Sequence, residues 1–422
     1  MNGLQELVDS LAAELRRPIG VDDRHFQALA YSSHHGRIDR VRRDSILSRR
    51  APQPVIDWLL SLGIETAPGP IRVPANPELE MDARLCVRLR FDETVLGYLW
   101  LIDEPRLVDG ERLQVATAYA DQMAAELARA RRLEDMSRKL HGDALGRLLF
   151  GQDPEAAADQ LYSEGMLTGS RRCVTLVARA ESQGKRGPGL RPRGRVHLSL
   201  AAEEVRRGIS PDNAIVLPHH QDVVLAFACE EDCEPERRAG DLLAAAHRQF
   251  AKEARGISAE VDVTVGIGGV RGELAGLRDS YREALLAVEV ARRVPELSGG
   301  SPLAWGDLGP YRTLTSMLDG RDPLELIPPS LADLLEERDG IGLVETLETY
   351  LESGCDAKAA SARLFVHRSS LYKRLQRIER LTGCDLHRGD DRLELHMGLR
   401  LWRLGGAGGR DDARRPHLSA LG

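Results

Sequence analysis

Residues 356–383 read DAKAASARLFVHRSSLYKRLQRIERLTG, and this stretch decides how the C-terminal end of the chain folds. Asp356 is a good N-cap, and the Ala-rich run from Ala357 to Phe365 has high helix propensity with no Pro or Gly to break it. Val366, His367 and Arg368 then interrupt the pattern. Ser369 or Ser370 is placed to cap a second helix, whose apolar positions Leu371, Leu375, Ile378 and Leu381 share one face. Two short helices joined by so tight a turn form a helix-turn-helix.

The opposite face of the second helix carries Ser369, Tyr372, Lys373, Gln376, Arg377 and Arg380, side chains that donate to phosphates and base edges. Arg374 falls beside the apolar stripe, which directs it to a phosphate or a local carboxylate. Residues 357–382 hold Lys358, Arg363, Arg368, Lys373, Arg374, Arg377 and Arg380 against Glu379 alone, a local charge of +6 in a chain of net charge −7. One concentrated basic helix on an acidic protein points to local docking on double-stranded DNA, whereas a sticky polycation spreads its charge. The alternative reading of the same pattern is a solvated basic helix in an ordinary bundle. On the DNA reading, Ser369, Ser370, Tyr372, Lys373 and Gln376 face bases, while His367, Arg368, Arg377 and Arg380 face phosphates.

Around this stretch lie LVETLETYL at 343–351, HRSSLYKRL at 367–375, RIERLTG at 377–383 and DRLELHMGLRL at 391–401. Through these pieces the segment 343–404 resembles the C-terminal domain of the PucR/CdaR-type bacterial transcriptional regulators. Members of that family commonly have Asn-Thr where this chain has Ser369-Ser370, and often Tyr where it has Lys373. Both departures sit on the outward face, so they bear on the operator sequence and not on the fold. The resemblance implies a transcription factor that answers to a small-molecule effector of unknown identity. Too few base contacts come from one helix-turn-helix, so a homodimer or higher even oligomer is expected.

A chain of 422 residues has room for roughly three domains. Its 42% hydrophobic and 29% charged residues are those of a globular protein, and no stretch approaches the roughly 18 apolar residues that a membrane helix needs. The N-terminus, MNGLQELVDSLAAEL, lacks the basic flank of a secretory signal, so a cytoplasmic location with no membrane partner is expected. Of six cysteines only Cys229 and Cys233 lie close together, in the acidic EEDCE loop, and they form no metal pattern. Reduced thiols and no metal or cofactor are expected.

The fold class read from the whole chain is multidomain α+β. Residues 1–128 carry a helix at 3–16, two short strands in VDDRHFQALAYS, a helical tract at 40–62, a Pro-rich loop in GPIRVPANPEL and a hairpin of RLCVRLRF with VLGYLWLID about Asp92-Glu93. Their order resembles a GAF-type sensor domain, which implies a small-molecule or partner sensor. A purely structural dimerisation unit is the other reading. His34-His35 reads as a surface turn and Trp58 as core.

A helix from Gly110 continues to about Phe150, with an apolar stripe through Ala120, Met123, Leu127, Ala130, Leu133, Met136, Leu140, Ala144 and Leu148, too irregular for a strict coiled coil. Its 129–150 part reads as a connector able to pair with a second copy.

Residues 151–300 follow the order βαββαβα, with a Gly/Pro/Arg loop, GKRGPGLRPRG, after the first strand. Through VGIGG at 265–269 and SYREA at 280–284 they resemble the degenerate, ferredoxin-like GGDEF-related domain found mid-chain in the same regulators. Active members carry paired carboxylates and glycines on the central hairpin turn, where this chain has Pro218-His219-His220-Gln221-Asp222. Two-metal phosphoryl chemistry lacks its parts there, so no enzyme is expected. Residues 301–340 read as linker and helices, 341–404 as the helix-turn-helix domain buttressed by Leu343, Leu347 and Leu351 and closed by a helix through Leu393, Met397, Leu401 and Leu404, and 405–422 as a disordered tail. The competing functions are a nucleotide-binding or cyclase-like signalling protein and a protein-binding adaptor. The basic outer face argues against the adaptor, because such a face shows apolar anchors.

Overall fold

The computed structural model describes residues 2–33, 38–103, 108–169, 172–182, 192–209, 211–229, 234–253, 261–318, 321–337 and 340–406. His34-His35, Cys233 with most of its acidic loop, most of the Gly/Pro/Arg loop and the tail from 407 lie outside them. Two units, Met1–Lys139 and Leu140–Gly422, hold most contacts within themselves.

In the first unit, α1 (Asn2–Leu15) leads into β1 (Ile19–Asp23) and β2 (Ala28–Tyr31), the expected pair of short strands. The helical tract at 40–62 breaks into α2 (Arg40–Ser48) and α3 (Gln53–Ser61), because Arg49 turns left-handed at φ 53° ahead of Pro52. Then come β3 (Ile71–Val73), β4 (Arg84–Phe91) and β5 (Thr94–Ile102), giving an antiparallel sheet in the order β2-β1-β5-β4-β3. The Pro-rich stretch expected to be all loop thus contributes a strand. Pro70 and Pro74 flank it without harm, since an edge strand pairs on one side only.

β5 is apolar almost throughout, and β4 sets apolar residues on both faces between its arginines, because both sheet faces are covered. Leu85, Leu89, Leu99 and Leu101 pack with α1 and the first part of α4 (Gly110–Phe150), while Cys86, Tyr98 and Trp100 pack with Val55, Ile56 and Leu59 of α3. Trp58, read as core, is only partly buried at the edge of that second cluster.

In the second unit, the last turns of α4 and α5 (Pro154–Ser163) precede β6 (Arg172–Ser182), α6 (Pro192–Arg207), β7 (Ala214–His219), β8 (Asp222–Cys229), α7 (Pro235–Glu253), β9 (Val261–Ile267) and α8 (Leu277–Arg293). From β6 to α8 the order is the expected βαββαβα. Further on lie α9 (Pro295–Ser298), β10 (Leu303–Ala304), α10 (Pro310–Leu318) and α11 (Pro329–Glu336). The sheet runs β10-β9-β6-β8-β7, antiparallel except for β10 beside β9. Leu145, Leu148, Leu161 and Val288 fill one face, and Leu198, Ala202, Leu242 and Ala246 fill the other. Every residue of β8 is accordingly buried.

The glycines of VGIGG are explained by this packing. A Cβ on Gly266 would lie 2.2 Å from the Ala284 carbonyl oxygen, and one on Gly268 would lie 2.0 Å from that of Ser280. Backbone meets backbone here, so α8 rests on β9 only because those side chains are missing. Residues 301–340 include packed pieces, since Leu308, Tyr311 and Leu314 cluster with Ala287, Val290 and Ala291 of α8.

One polar cluster interrupts the core of the first unit. Asp39 caps α2 by accepting from Arg42 N at 2.6 Å and takes two contacts of 2.7 Å from Nη2 of Arg84, while Arg42 Nη2 donates to the carbonyls of Ile19 and Ser32. Beside them, burial raises the Asp22 carboxyl from 3.8 to about 6, against the opposing pull of Arg84 and of the Trp100 indole. An acid weakened by folding binds its proton more tightly folded than unfolded, so its contribution is complete below pH 3.8 and is lost as pH rises through about 6. Asp22→Asn is therefore expected to raise the urea midpoint of the first unit at about pH 8, with the difference closing by about pH 4. A less stable variant at the higher pH would show that ion pairing to Arg84 outweighs burial.

Candidate nucleic-acid interface

Four helices follow α11 at most of its length from one another in sequence: α12 (Gly340–Glu352), α13 (Ala357–Arg363), α14 (Arg368–Thr382) and α15 (Gly389–Leu404). Leu343, Leu347 and Leu351 of α12 are buried as expected and join Leu331, Leu334, Ala360, Leu371, Leu375 and Ile378 in one core. Leu381, the fourth residue of the expected stripe, is only partly buried, and Thr382 is buried beside it.

Asp356 caps α13 through Oδ1, which accepts from Lys358 N at 2.7 Å and Ala359 N at 3.2 Å. The helix ends two residues earlier than the Ala-rich run implies. Leu364 closes it, and Phe365 takes φ 53° and stands 96% exposed before Val366 returns to the core. A bulky side chain in left-handed backbone marks this as the sharp corner of the motif. Neither serine caps α14. His367 does, its Nδ1 lying 3.3 Å from Ser369 N and 2.8 Å from Ser369 Oγ. At the other end Gly383 supplies the left-handed C-cap at φ 66°.

Once the apolar stripe faces inward, the rest of α14 is assigned by rotation. His367, Arg368, Ser369, Ser370, Tyr372, Lys373, Gln376 and Arg380 are all exposed. Arg377 differs from the expectation. It lies roughly 120° from Leu371 at about 100° per residue, on the flank of the helix, and its Nη2 binds Glu337 Oε1 at 2.7 Å. Arg374 donates to Thr346 Oγ1 at 3.1 Å, a hydroxyl of α12 where a carboxylate or phosphate was expected. Arg363 pairs with Glu352 at 3.2 Å. Among the described residues, Lys358, Arg368, Lys373, Arg374 and Arg380 have no carboxylate within ion-pair distance, so the basic surface is narrower than the residue count and includes Lys358, which the sequence reading counted in the charge but gave no DNA contact. Lys358 lies two residues after the Asp356 N-cap, on the side of α13 away from Ala360.

The closing helix also corrects the expected face. Leu395, Gly398, Leu399, Leu401 and Leu404 are buried, whereas Leu393 and Met397 are exposed. Two apolar stripes overlap on α15, and Gly398 selects between them. A Cβ there would come within 2.8 Å of Pro328 and 2.9 Å of Leu331, so the side without a side chain is the one that meets α11. Charges tie α15 down: Arg403 Nη2 reaches Glu348 Oε2 at 2.6 Å, Arg400 Nη2 reaches Glu352 Oε1 at 2.9 Å, and Arg293 of α8 donates to the Leu404 carbonyl at 3.0 Å. Carboxylates of Glu379 and Asp385 come near His387, but they accept from Leu386 N and His387 N and so close the turn after α14.

Burial separates the residues that hold this helix from those it displays. Leu375→Ala, at a 6% exposed position, is expected to cost roughly 2–5 kcal/mol in urea unfolding of the second unit. Tyr372→Ala on the outer face should stay within about 0.5 kcal/mol. Equal effects would mean that α14 is rotated from the orientation described.

Two protein families match the chain, one described as the PucR C-terminal helix-turn-helix domain over residues 343–401 and one as a GGDEF-like domain over residues 150–290. The proline-responsive transcriptional activator PutR of Bacillus subtilis is 24% identical over 412 residues, 95% of this chain and 96% of that protein. The DNA-binding transcriptional activator AdeR of Bacillus subtilis is 24% identical over 413 residues, covering 94% and 92%. The carbohydrate diacid regulator of Escherichia coli is 43% identical over 68 residues, 16% of this chain and 18% of that protein. With a PucR-type helix-turn-helix at its C-terminal end, a GGDEF-like domain before it and similarity to transcriptional activators along nearly its whole length, the chain is a DNA-binding transcriptional regulator that resembles the PucR/CdaR type.

Proposed function

We propose that α14 enters the major groove of double-stranded operator DNA, with Ser369, Ser370, Tyr372, Lys373 and Gln376 toward the bases and His367, Arg368, Arg380 and Lys358 toward phosphates. The observation that carries this is the division of labour on α14. Its inner and flanking side chains, Leu371, Leu375, Ile378, Arg374 and Arg377, are occupied within the protein, while the outward ones are exposed and Lys373 and Arg380 have no carboxylate partner among the described residues. Arg377 keeps a phosphate role only by exchanging Glu337 for the phosphate. Two copies on two half-sites, about one helical turn or a multiple of it apart, double the base contacts.

The effector is received by the first unit, whose sheet between helices supports the GAF-like reading. PutR is described as proline-responsive, which favours a small metabolite as the effector class here too. The middle domain acts without catalysis. At its hairpin the Asp222 carboxylate is spent on Arg179, at 2.5 Å to Nε and 2.8 Å to Nη2, so it is committed where a metal ligand would be needed.

Replacing Lys373 or Gln376 by Ala should cost on the order of 1–3 kcal/mol at the operator and relax base preference. Arg380→Ala should instead weaken operator and scrambled DNA alike and lower the salt slope by about one. Titration of both DNAs at several salt concentrations checks this, and identical behaviour of the Lys373 and Arg380 variants would remove α14 from the groove. Incubation of the full chain with GTP and magnesium should yield no cyclic dinucleotide, and turnover would restore the enzyme reading.

A further inference from the structure

The middle of α4 is bare. From Arg129 to Met136 every residue is exposed, and Leu133, Met136 and Leu140 are 58%, 62% and 57% exposed although they carry the apolar stripe of the helix. The stripe residues before and after this stretch behave differently: Ala120 and Met123 are buried, as are Ala144 and Leu148. A helical segment of this length is marginal in water on its own, since most helical stability in proteins comes from packing an apolar face. Leu133, Met136 and Leu140 are spaced as a, d and a of a heptad, within an arc of roughly 60° at about 100° per residue.

We infer that this stripe is the seam at which a second copy of the chain packs, its α4 running parallel and in register. The inference rests on the paired-copy reading given above and names its surface. Charge selects the occupant and its direction. Arg132 and Lys139 lie on one flank of the stripe, at the heptad g positions, and the neutral Ser137 lies on the other, at the e position, while Glu134 and Asp135 are held by Arg138 behind the seam. A parallel copy sets each basic flank against the partner's Ser137 side. An antiparallel copy sets basic flank against basic flank. The seam is short, because Arg129 and Asp143 occupy the neighbouring d positions, and those charges stop it from sliding by a heptad.

Each of the three side chains is exposed in the single chain, so replacing it leaves both units intact. In the full-length protein, Leu133→Cys and Leu140→Cys should each form a disulfide-linked dimer with itself under mild oxidation, and the parent chain treated alike should not. Antiparallel pairing about Met136 would link the two variants to each other in a mixture and neither to itself, which overturns the direction. Met136→Asp should raise the dissociation constant of the dimer by more than about tenfold in analytical ultracentrifugation. A dimer unchanged by Met136→Asp and uncrosslinked by either cysteine overturns the seam while leaving the paired-copy reading standing. A monomer at micromolar concentration, on and off DNA, overturns both.

Discussion

Burial of Leu371, Leu375 and Ile378 fixes the rotation of α14 about its own axis, and the chemistry of the C-terminal surface follows from that rotation. A side chain about 100° away along the helix is either inside, on the flank or outside. Arg374 and Arg377 become flank residues and are consumed by Thr346 and Glu337, while Lys373, Gln376 and Arg380 are left to solvent. Count of charge alone treats these arginines as equal. Their partners separate them, since a guanidinium already held by a carboxylate must give up that contact before it meets a phosphate.

The same helix shows what the sequence carries and what it hides. Period and capping made the two helices and the Asp356 cap legible, because each is a local property of neighbouring residues. The His367 cap was not, because imidazole nitrogen competes with serine hydroxyl only once the turn geometry is set. On α15 two apolar stripes are equally helical in spacing, and the choice between Leu393/Met397 and Leu395/Leu399 depends on Pro328 and Leu331, far away in sequence. β3 was hidden for a related reason. Three residues between prolines have no period to read, and only pairing with β4 makes them a strand. Apart from β3 and the two-residue β10, the order of elements along the chain was legible, since it needs only alternation, length and breakers.

Contact between the GGDEF-like domain and the helix-turn-helix is direct. Leu401 and Leu404 of α15 share a cluster with Ala287, Val290 and Ala291 of α8, and Arg403 spans Glu348 of α12 and Glu296 of α9. Glu348 is buried and paired to two arginines, Arg400 and Arg403. Loss of that carboxylate would leave two cations crowded at one joint, a far costlier change than loss of an exposed pair. A shift of α8 is therefore felt by α15 through packing and charge together.

Gly266 and Gly268 bring α8 onto β9 by leaving out two side chains. Glycine in this motif is then a requirement of architecture and separable from chemistry. A side chain at either position would push α8 off β9, whatever the hairpin turn carries. Presence of the glycine pair in a related chain is accordingly a marker of the shared scaffold, and the hairpin turn is the place to judge whether that chain is a catalyst.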